Sequence, residues 1–244
     1  MLTYTFKIKT TPTLIQKFEQ HLGTTRMLFN LAKETREYAY SKGVKLNKFD
    51  LIKQLPDLKK EFTWISEVHS QTLQGVIERL DKGYDKFFKD LKKGITTSKP
   101  HWARKKGWSS IEFKSSAIKI KDGSFEISKI GKIKIFKSRE IHGGIKLARV
   151  VKKADGYYLQ IVTDHEIQKC ENQAVVGVDL GIKHFLITSD GQFFENIKTT
   201  DKYKNELRIA QRRLSRKKKF SNNFYKQVEV VKKIHLKIQR VRED

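Results

Sequence analysis

The sequence VVGVDLGIKHFLITSDG, residues 175–191, combines an apolar run, a carboxylate near the end of that run and glycines where the chain must turn. The apolar residues from Ala174 to Leu180 predict a buried strand that delivers Asp179 near its end, and Gly181 permits the tight turn that follows. Two further strands are predicted at 185–188 and 193–197, on either side of a Ser-Asp-Gly turn. The segment therefore predicts a meander of three strands.

Asp179 has three interpretations, because burying a carboxylate costs free energy unless a metal ion or another partner offsets it. It caps a strand turn without chemistry, or it binds a divalent metal as in RNase H-like nucleases, or its loop lies beside a nucleotide phosphate as in sugar kinases and actin-like ATPases. Both functional classes begin with a strand-end Asp, a glycine and a three-stranded meander. The segment that follows the meander is needed to choose between them.

The segment after the meander, residues 203–244, is predicted to be helical throughout, and it is unusually basic. The residues predicted to contact nucleic acid are Arg208, Arg212, Arg213, Arg216, Lys217, Lys218 and Lys219. After them, only Glu229 interrupts the basic pattern before Glu243 and Asp244. A solvated basic helix is the alternative. So few compensating carboxylates favour a phosphate backbone as the partner and argue against an ATPase.

The whole chain shares this bias, since 52 Lys and Arg residues against 27 Asp and Glu residues give its 244 residues a net charge of +25. Such a surplus favours a polyanionic partner, and nucleic acid is the commonest one. Anionic membrane is less favoured, because no apolar run is long enough to span a bilayer and the N-terminus does not resemble a signal peptide. We therefore expect a soluble cytoplasmic protein. The single cysteine, Cys170, excludes a disulfide framework and a cysteine-based zinc site in this sequence.

The N-terminal part of the chain is predicted to contain one strand followed by helices. Alternating apolar residues predict a strand over residues 2–9, and Pro12 ends it. Residues 12–42 have the pattern of a helix, a break at Gly23 and a second helix, and residues 48–62 that of a third. A long apolar ladder over residues 73–91 predicts a helix whose apolar stripe is core.

A basic linker at residues 92–107 separates these helices from a series of short alternating strands with Asp-Gly, Gly-Lys and Gly-Gly turns. Many short strands with regular turns predict a small antiparallel β-barrel. We expect the first strand of the chain to pair into this barrel, so that the helices form an insertion. An acidic and amide-rich spacer, residues 165–173, precedes the meander.

The meander and the basic segment together resemble the TnpB proteins of bacterial insertion sequences, relatives of the type V CRISPR effectors. The resemblance rests on VVGVDLGIKHFLITSDG, on LSRKKK with SNN, KIH and VRED after it, and on KPHWARKKGWSSIEFKSS at residues 99–116. It implies an α+β fold, with a small antiparallel β-barrel carrying a helical insertion domain, followed by an incomplete RNase H-like (RuvC) domain. The implied domains are the first barrel strand (1–10), a helical recognition domain (11–95), the β-barrel or wedge domain (96–170) and the N-terminal part of a RuvC-like domain with the basic helices (171–244).

The resemblance also implies a function. Such proteins bind a guide RNA and double-stranded target DNA, and they cut the DNA at a RuvC site where three carboxylates hold two Mg2+ ions about 3.5 to 4 Å apart. Asp179 matches the first carboxylate, whereas the later Glu and Asp have no counterpart before Asp244. We therefore expect an incomplete nuclease centre, no cleavage by the chain as given, no stably bound Mg2+, and a nucleoid-associated location in a bacterial cytoplasm.

Regions that resemble the family's readers of a short DNA motif contain Gln71, Gln74, Ser109, Ser110 and Lys114. Amide side chains suit hydrogen bonds to base edges, and hydroxyls suit phosphates or bases. An exposed polar helix face is the alternative for the two glutamines.

The sequence departs from the family pattern at Phe220, where glycine is expected, and at Phe224, where a basic residue is usual. Two other functions stay open: a nuclease-dead RNA-guided DNA-binding regulator, and a general protein that binds structured RNA. A requirement for one cognate RNA separates the RNA-guided functions from the general one. A kinase-like ATPase is a distant alternative that absent nucleotide binding would remove.

Overall fold

The computed structural model describes residues 1–121, 124–166, 175–196 and 198–243. The chain divides into two compact units, Met1–Ile167 and Gln168–Asp244, and each is described by itself. Most of the predicted spacer, with Cys170, lies outside the described residues, and so do Ala174 and Ile197 at the ends of predicted strands.

The first unit contains a seven-stranded sheet and four α-helices. Its strands are β1 (Leu2–Lys9), β2 (Ser110–Lys114), β3 (Ile118–Lys121), β4 (Ser124–Ile127), β5 (Gly131–Ile135), β6 (Ile145–Lys153) and β7 (Gly156–Thr163). Its helices are α1 (Pro12–Ser41), α2 (Lys48–Lys53), α3 (Leu55–Glu61) and α4 (Ser70–Lys92), with short 3₁₀ helices at Thr63–Glu67 and Ser115–Ala117.

The strand order is β2-β6-β7-β1-β5-β4-β3, and every neighbouring pair is antiparallel. The predicted pairing of β1 with the later strands is confirmed, since β1 lies between β7 and β5. The predicted closed barrel is wrong, because no ladder joins β2 to β3 among the described strands. These two edge strands are linked by Ser115–Ala117, which keeps their adjoining ends within about 14 Å of each other.

Helix α1 is continuous, so the predicted break at Gly23 is wrong. Thr11 caps it by accepting a hydrogen bond from the Leu14 N–H at 3.2 Å, and Pro12 suits its first turn. A glycine inside a helix costs only about 1 kcal/mol relative to alanine, and burial of Leu22 and Thr24 on either side outweighs this cost.

Two other helix predictions hold in part. The helix predicted over residues 48–62 is split into α2 and α3, because Pro56 has no N–H to continue the hydrogen-bond ladder. The apolar ladder of α4 is confirmed as core from Leu73 to Tyr84. Phe88 and Leu91, which continue the ladder, are exposed.

The second unit contains a three-stranded antiparallel sheet, in the order β10-β9-β8, and two helices. The elements are β8 (Val178–Asp179), β9 (His184–Thr188), β10 (Phe193–Glu195), α5 (Thr199–Ser215) and α6 (Asn222–Glu243). The meander is confirmed. The prediction of unbroken helix is wrong at residues 216–221, where the chain turns between α5 and α6. The helices pack on each other through Ala210, Ile234 and Ile238.

No helix in the described ranges is long and apolar enough to cross a membrane.

Candidate nucleic-acid interface

A polar cleft of about 520 Å³ lies in the first unit between α4 and the strands β2, β6 and β7. We call it the α4–β2 cleft. Its polar and charged lining residues are Thr25, Thr72, Glu78, Arg79, Lys82, Ser109, Ser110, Glu112, Arg149 and Gln160. Three basic side chains therefore face two carboxylates, which leaves the cleft only weakly positive.

The sheet side of the cleft follows from strand alternation. In β2, Ile111 and Phe113 are buried in the core, so Ser110 and Glu112 lie on the opposite face. Arg149 of β6 lies directly opposite Glu112 in the ladder, and its Nε donates a hydrogen bond to the Glu112 carboxylate at 2.9 Å. The two side chains are 43% and 45% exposed, so this pair contributes little stability, and it orients the guanidinium on the cleft wall.

The helix side of the cleft is organised by Trp108. The Arg79 guanidinium lies 4.3 Å from the centre of the Trp108 ring, a cation–π geometry. The indole N–H donates to the Thr25 hydroxyl at 2.9 Å, and the ring contacts Phe29 with centroids 5.0 Å apart. Burial against these groups lowers the pKa of Arg79, an effect that Glu112 opposes. Trp108 is thus a core residue that supports a basic side chain at the surface.

The predicted DNA-motif residues are only partly brought together. Ser109 and Ser110 line the cleft. Lys114 lies beside it and forms an ion pair with Glu78 at 3.0 Å. Gln71 accepts a hydrogen bond from the Ser116 hydroxyl, whereas Gln74 is half-buried on α4; neither glutamine lines the cleft.

Three basic residues of the cleft were missed from the sequence, namely Arg79, Lys82 and Arg149. Arg79 and Lys82 follow Gly75 and Val76 on the helix flank beside the apolar ladder. A basic residue beside the apolar stripe of a helix is one sequence signal that could have identified these two residues. Strand alternation is the other signal, because Arg149 lies between the buried residues Ala148 and Val150 in β6 and therefore faces away from the core.

Of the three aromatic residues in the basic linker, directly after it and in β2, two lie in the core. Trp108 and Phe113 are buried. Trp102 is exposed on one side, and its ring lies 4.2 Å from the Lys33 ammonium group.

In the second unit, Asp179 lies on β8, opposite Ile187 of β9. The prediction that its strand is buried is wrong: Val178 is 54% exposed and Leu180 is 69% exposed. The reason is that α5 and α6 direct their apolar faces at each other and leave the small sheet uncovered. The tight turn at Gly181 is confirmed, since a Cβ there would lie 3.0 Å from the His184 carbonyl oxygen.

A two-metal nuclease centre requires several carboxylates at one place. Within the described residues, no group of three His, Cys, Asp or Glu side chains is placed to hold a metal ion. The residues around Asp179 therefore do not fit such a centre by themselves.

The helix pair α5 and α6, which we call the basic hairpin (Thr199–Glu243), carries the clearest charge feature of this unit. Its seven predicted contact residues are all exposed: Arg208, Arg212, Arg213, Arg216, Lys217, Lys218 and Lys219. None of the seven forms an ion pair with a carboxylate of the described chain. Nearby carboxylates are occupied elsewhere, Glu206 by Lys237 at 3.2 Å and Glu229 by Lys232 at 2.6 Å.

An α+β chain with such an uncompensated basic face belongs to a class in which nucleic-acid binding is common. Residues 158–244 match the OrfB_IS605 family model, described as "Probable transposase", and residues 1–45 match the HTH_OrfB_IS605 model, described as a helix-turn-helix domain. OrfB_IS605 transposase and HTH_OrfB_IS605 domains are therefore recognisable in this chain, and both are domains of insertion-sequence proteins. In the structure, the residues matched to the helix-turn-helix model form β1 and the single helix α1.

Two curated proteins are similar to this chain over most of its length. The first is "Putative RNA-guided DNA endonuclease InsQ" of Escherichia coli (strain K12), 28% identical over 229 residues, which cover 91% of this chain and 56% of the relative. The second is "Putative RNA-guided DNA endonuclease" of Streptomyces pristinaespiralis, 28% identical over 244 residues, which cover 96% of this chain and 60% of the relative. The chain thus spans less than two thirds of the length of either relative.

Proposed function

We propose that this chain is an RNA-guided DNA-binding protein in which the basic hairpin binds a structured guide RNA. The observation that carries the proposal is the set of seven exposed basic side chains without paired carboxylates in the described chain. Unpaired Lys and Arg side chains on one hairpin release counterions from a phosphate backbone, which drives binding. The names of the two relatives support RNA as the guide and DNA as the target.

Double-stranded target DNA binds, in this proposal, at the α4–β2 cleft. Ser109 and Ser110 supply hydroxyls there, and Arg79 and Arg149 supply guanidinium groups that suit phosphates or guanine edges. Gln71, Gln74 and Lys114 lie nearby on the same helix and strand and extend the DNA contacts beyond the cleft.

Asp179 is proposed as a metal ligand only within a larger set of carboxylates that the described residues do not provide. The chain by itself is then a binding protein in which the Mg2+-dependent nuclease centre is incomplete.

The proposal is tested by measuring RNA affinity at several salt concentrations. Each phosphate contact adds about 0.7 to 0.9 to the slope of log affinity against log salt. Replacing Arg212, Arg213, Lys217 and Lys218 with Glu should weaken binding and flatten that slope. A matched control replaces four exposed lysines of the first unit with Glu, namely Lys42, Lys45, Lys53 and Lys93, which changes the net charge equally. Equal slopes for the two variants would assign the binding to net charge and refute the hairpin site.

A general structured-RNA-binding protein is the second candidate, because the α4–β2 cleft is nearly balanced in charge. The two functions differ in their need for one RNA. An RNA-guided protein should retain duplex DNA only when its cognate RNA is bound and pairs with that DNA. Tight binding of many unrelated folded RNAs without any DNA retention would favour the second candidate.

A further inference from the structure

Three aromatic residues lie together where α5 turns into α6. Phe220, Phe224 and Tyr225, which we call the aromatic turn, have ring centroids 6.3 Å apart for the first pair and 5.7 Å apart for the second. Phe224 is half-buried between its neighbours. Phe220 is 77% exposed and Tyr225 is 51% exposed, so two ring surfaces are open to a ligand.

The backbone at this turn holds Phe220 in an unfavourable conformation. Its φ is +67°, in the left-handed region that is unfavourable for any residue with a Cβ. The Ser221 hydroxyl accepts a hydrogen bond from the Phe224 N–H at 3.1 Å and caps α6 just after the strained residue. An exposed aromatic ring therefore stands at a position where glycine would fold more easily, and packing inside the protein does not explain it.

The surroundings of the aromatic turn are positively charged. Arg216, Lys217, Lys218 and Lys219 precede it directly, and Lys226 follows it. All five are exposed. An apolar protein surface is a poor partner for rings flanked in sequence by five exposed cations. A ligand with a negative backbone and flat apolar faces satisfies both the charges and the rings.

We propose that the aromatic turn stacks an unpaired base of a bound RNA, while Arg216 to Lys219 bind the adjoining phosphates. This inference rests on the proposed function and assigns one part of the hairpin to the unpaired bases of RNA. Every base has a flat face, so stacking on an aromatic ring tolerates any sequence. Folded RNA presents such bases in loops and bulges, whereas the bases of a DNA duplex are already stacked on each other.

The test uses the full 244-residue chain and two RNA probes, a stem with a single-stranded uridine loop and a blunt duplex of the same stem. Two variants remove a ring and keep every charge, Phe220→Gly and Tyr225→Leu. Phe220→Gly also relieves the left-handed backbone strain, so the turn is expected to stay folded in this variant. Phe49→Leu is the matched control, because Phe49 is an exposed ring beside Lys48 in the first unit.

Loss of one stacked base should weaken binding of the looped RNA about 5-fold or more. The slope against salt should stay that of the unchanged chain, because no phosphate contact is lost. The blunt duplex should bind all four proteins equally, and Phe49→Leu should bind the looped RNA normally.

The outcomes separate this inference from the proposed function. If the unchanged chain binds looped RNA with a steep salt slope and both ring variants match it, stacking is refuted while the hairpin remains an RNA site. If the unchanged chain binds no RNA, the proposed function fails and this inference fails with it. A DNA stem with a thymidine loop is the last probe, and equal affinity with equal losses on it would overturn the assignment to RNA.

Discussion

The guanidinium of Arg79 lies 4.3 Å from the centre of the Trp108 ring, at one wall of the α4–β2 cleft. Arg79 belongs to α4, and Trp108 follows the basic linker directly before β2. The ring restricts the arginine side chain before any ligand binds, so less conformational entropy is lost when its N–H groups meet a phosphate or a base. The contact makes Arg79 the residue of the cleft with the clearest expected effect on DNA binding.

Replacing Arg79 with Ala should weaken binding of a DNA duplex, with a salt slope reduced by about one if the guanidinium contacts a phosphate. Filter binding or fluorescence anisotropy at several salt concentrations measures both quantities. Lys45→Ala, which removes one exposed charge from a loop of the same unit, is the control. Identical affinities and slopes for the two variants would remove the cleft from the DNA site.

Gly23 offers a direct test of the continuity of α1. A Cβ at Gly23 meets no atom within 4 Å, so Gly23→Ala should stabilise the first unit by about 0.5 to 1 kcal/mol. All three tryptophans lie in this unit, so urea unfolding followed by their fluorescence reports its stability. Gly43→Ala is the control with the opposite expected sign. It should destabilise the first unit, because Gly43 has a φ of +80°, which alanine adopts only with strain. A lower urea midpoint for Gly23→Ala would contradict a continuous helix.

Replacing Phe220 with Gly should increase the stability of the turn between α5 and α6. Phe220→Gly removes the left-handed strain, so amides of residues 216–225 should exchange hydrogen more slowly, by up to about 1 kcal/mol of opening free energy. Phe220→Ala loses the ring but keeps a Cβ at the same φ, and its exchange should not slow. Hydrogen exchange read by mass spectrometry compares the two. Slower exchange in both variants would point to the exposed ring, and not the backbone, as the destabilising feature.

The sequence predicted those elements that depend on local pattern. The apolar ladder from Leu73 to Tyr84 has helical spacing over several turns, and the alternation of residues 2–9 specifies one buried strand face. At Gly23 the local signal for a break was overruled, because tertiary packing on both sides of the glycine is stronger than a propensity difference of about 1 kcal/mol.

Features that depend on what covers a surface could not be predicted. An apolar run such as residues 175–180 predicts burial, yet its exposure is decided by whether another element packs on the sheet. The cleft shows the same limit. Arg79 and Arg149 line one cleft only because a helix packs on a strand that is distant from it in the sequence. Asp179 could be recognised as a candidate from its motif, whereas the ligands around it cannot be deduced from one strand.

The stability of the first unit should depend on pH through Glu19. Its carboxylate accepts hydrogen bonds from the Lys152 ammonium at 2.5 Å and from the Tyr157 hydroxyl. Burial alone would raise the pKa of Glu19, but these two donors outweigh it and hold the pKa below its usual value of 4.5. A pKa that is lower in the folded state gives stability that is present above about pH 4.5 and lost as the pH falls through the folded-state value.

Replacing Glu19 with Gln should therefore lower the free energy of unfolding at pH 7 by about 0.5 to 1.5 kcal/mol, seen as a lower urea midpoint. It should also reduce the loss of stability as the pH falls below about 4.5. Tryptophan fluorescence measures both effects. Glu61→Gln, at the exposed end of α3, is the control and should leave the pH profile unchanged. If the stability of the Glu19→Gln variant falls as steeply with decreasing pH as that of the unchanged chain, Glu19 is not the cause of the pH dependence.

Asp179 should be catalytic once further carboxylates are supplied. One carboxylate cannot fix two metal ions for in-line displacement, so the 244-residue chain is expected not to cut DNA with Mg2+ or Mn2+, even with its cognate RNA. The local structure nevertheless presents what this position needs, namely a strand paired in a sheet and the tight turn at Gly181.

The test of Asp179 appends the C-terminal region of a TnpB relative, adds the matching guide RNA and measures cleavage of target DNA, with Asp179 and with Asp179→Ala. The fused protein should cut only with Asp179, because loss of a metal-binding carboxylate removes the geometry on which the reaction depends. Asp190→Ala is the control, since Asp190 lies in the following turn and accepts a hydrogen bond from the Thr188 hydroxyl. Both Asp179→Ala and Asp190→Ala should still bind RNA and target. Equal cutting by all three fused proteins would show that Asp179 only caps its turn.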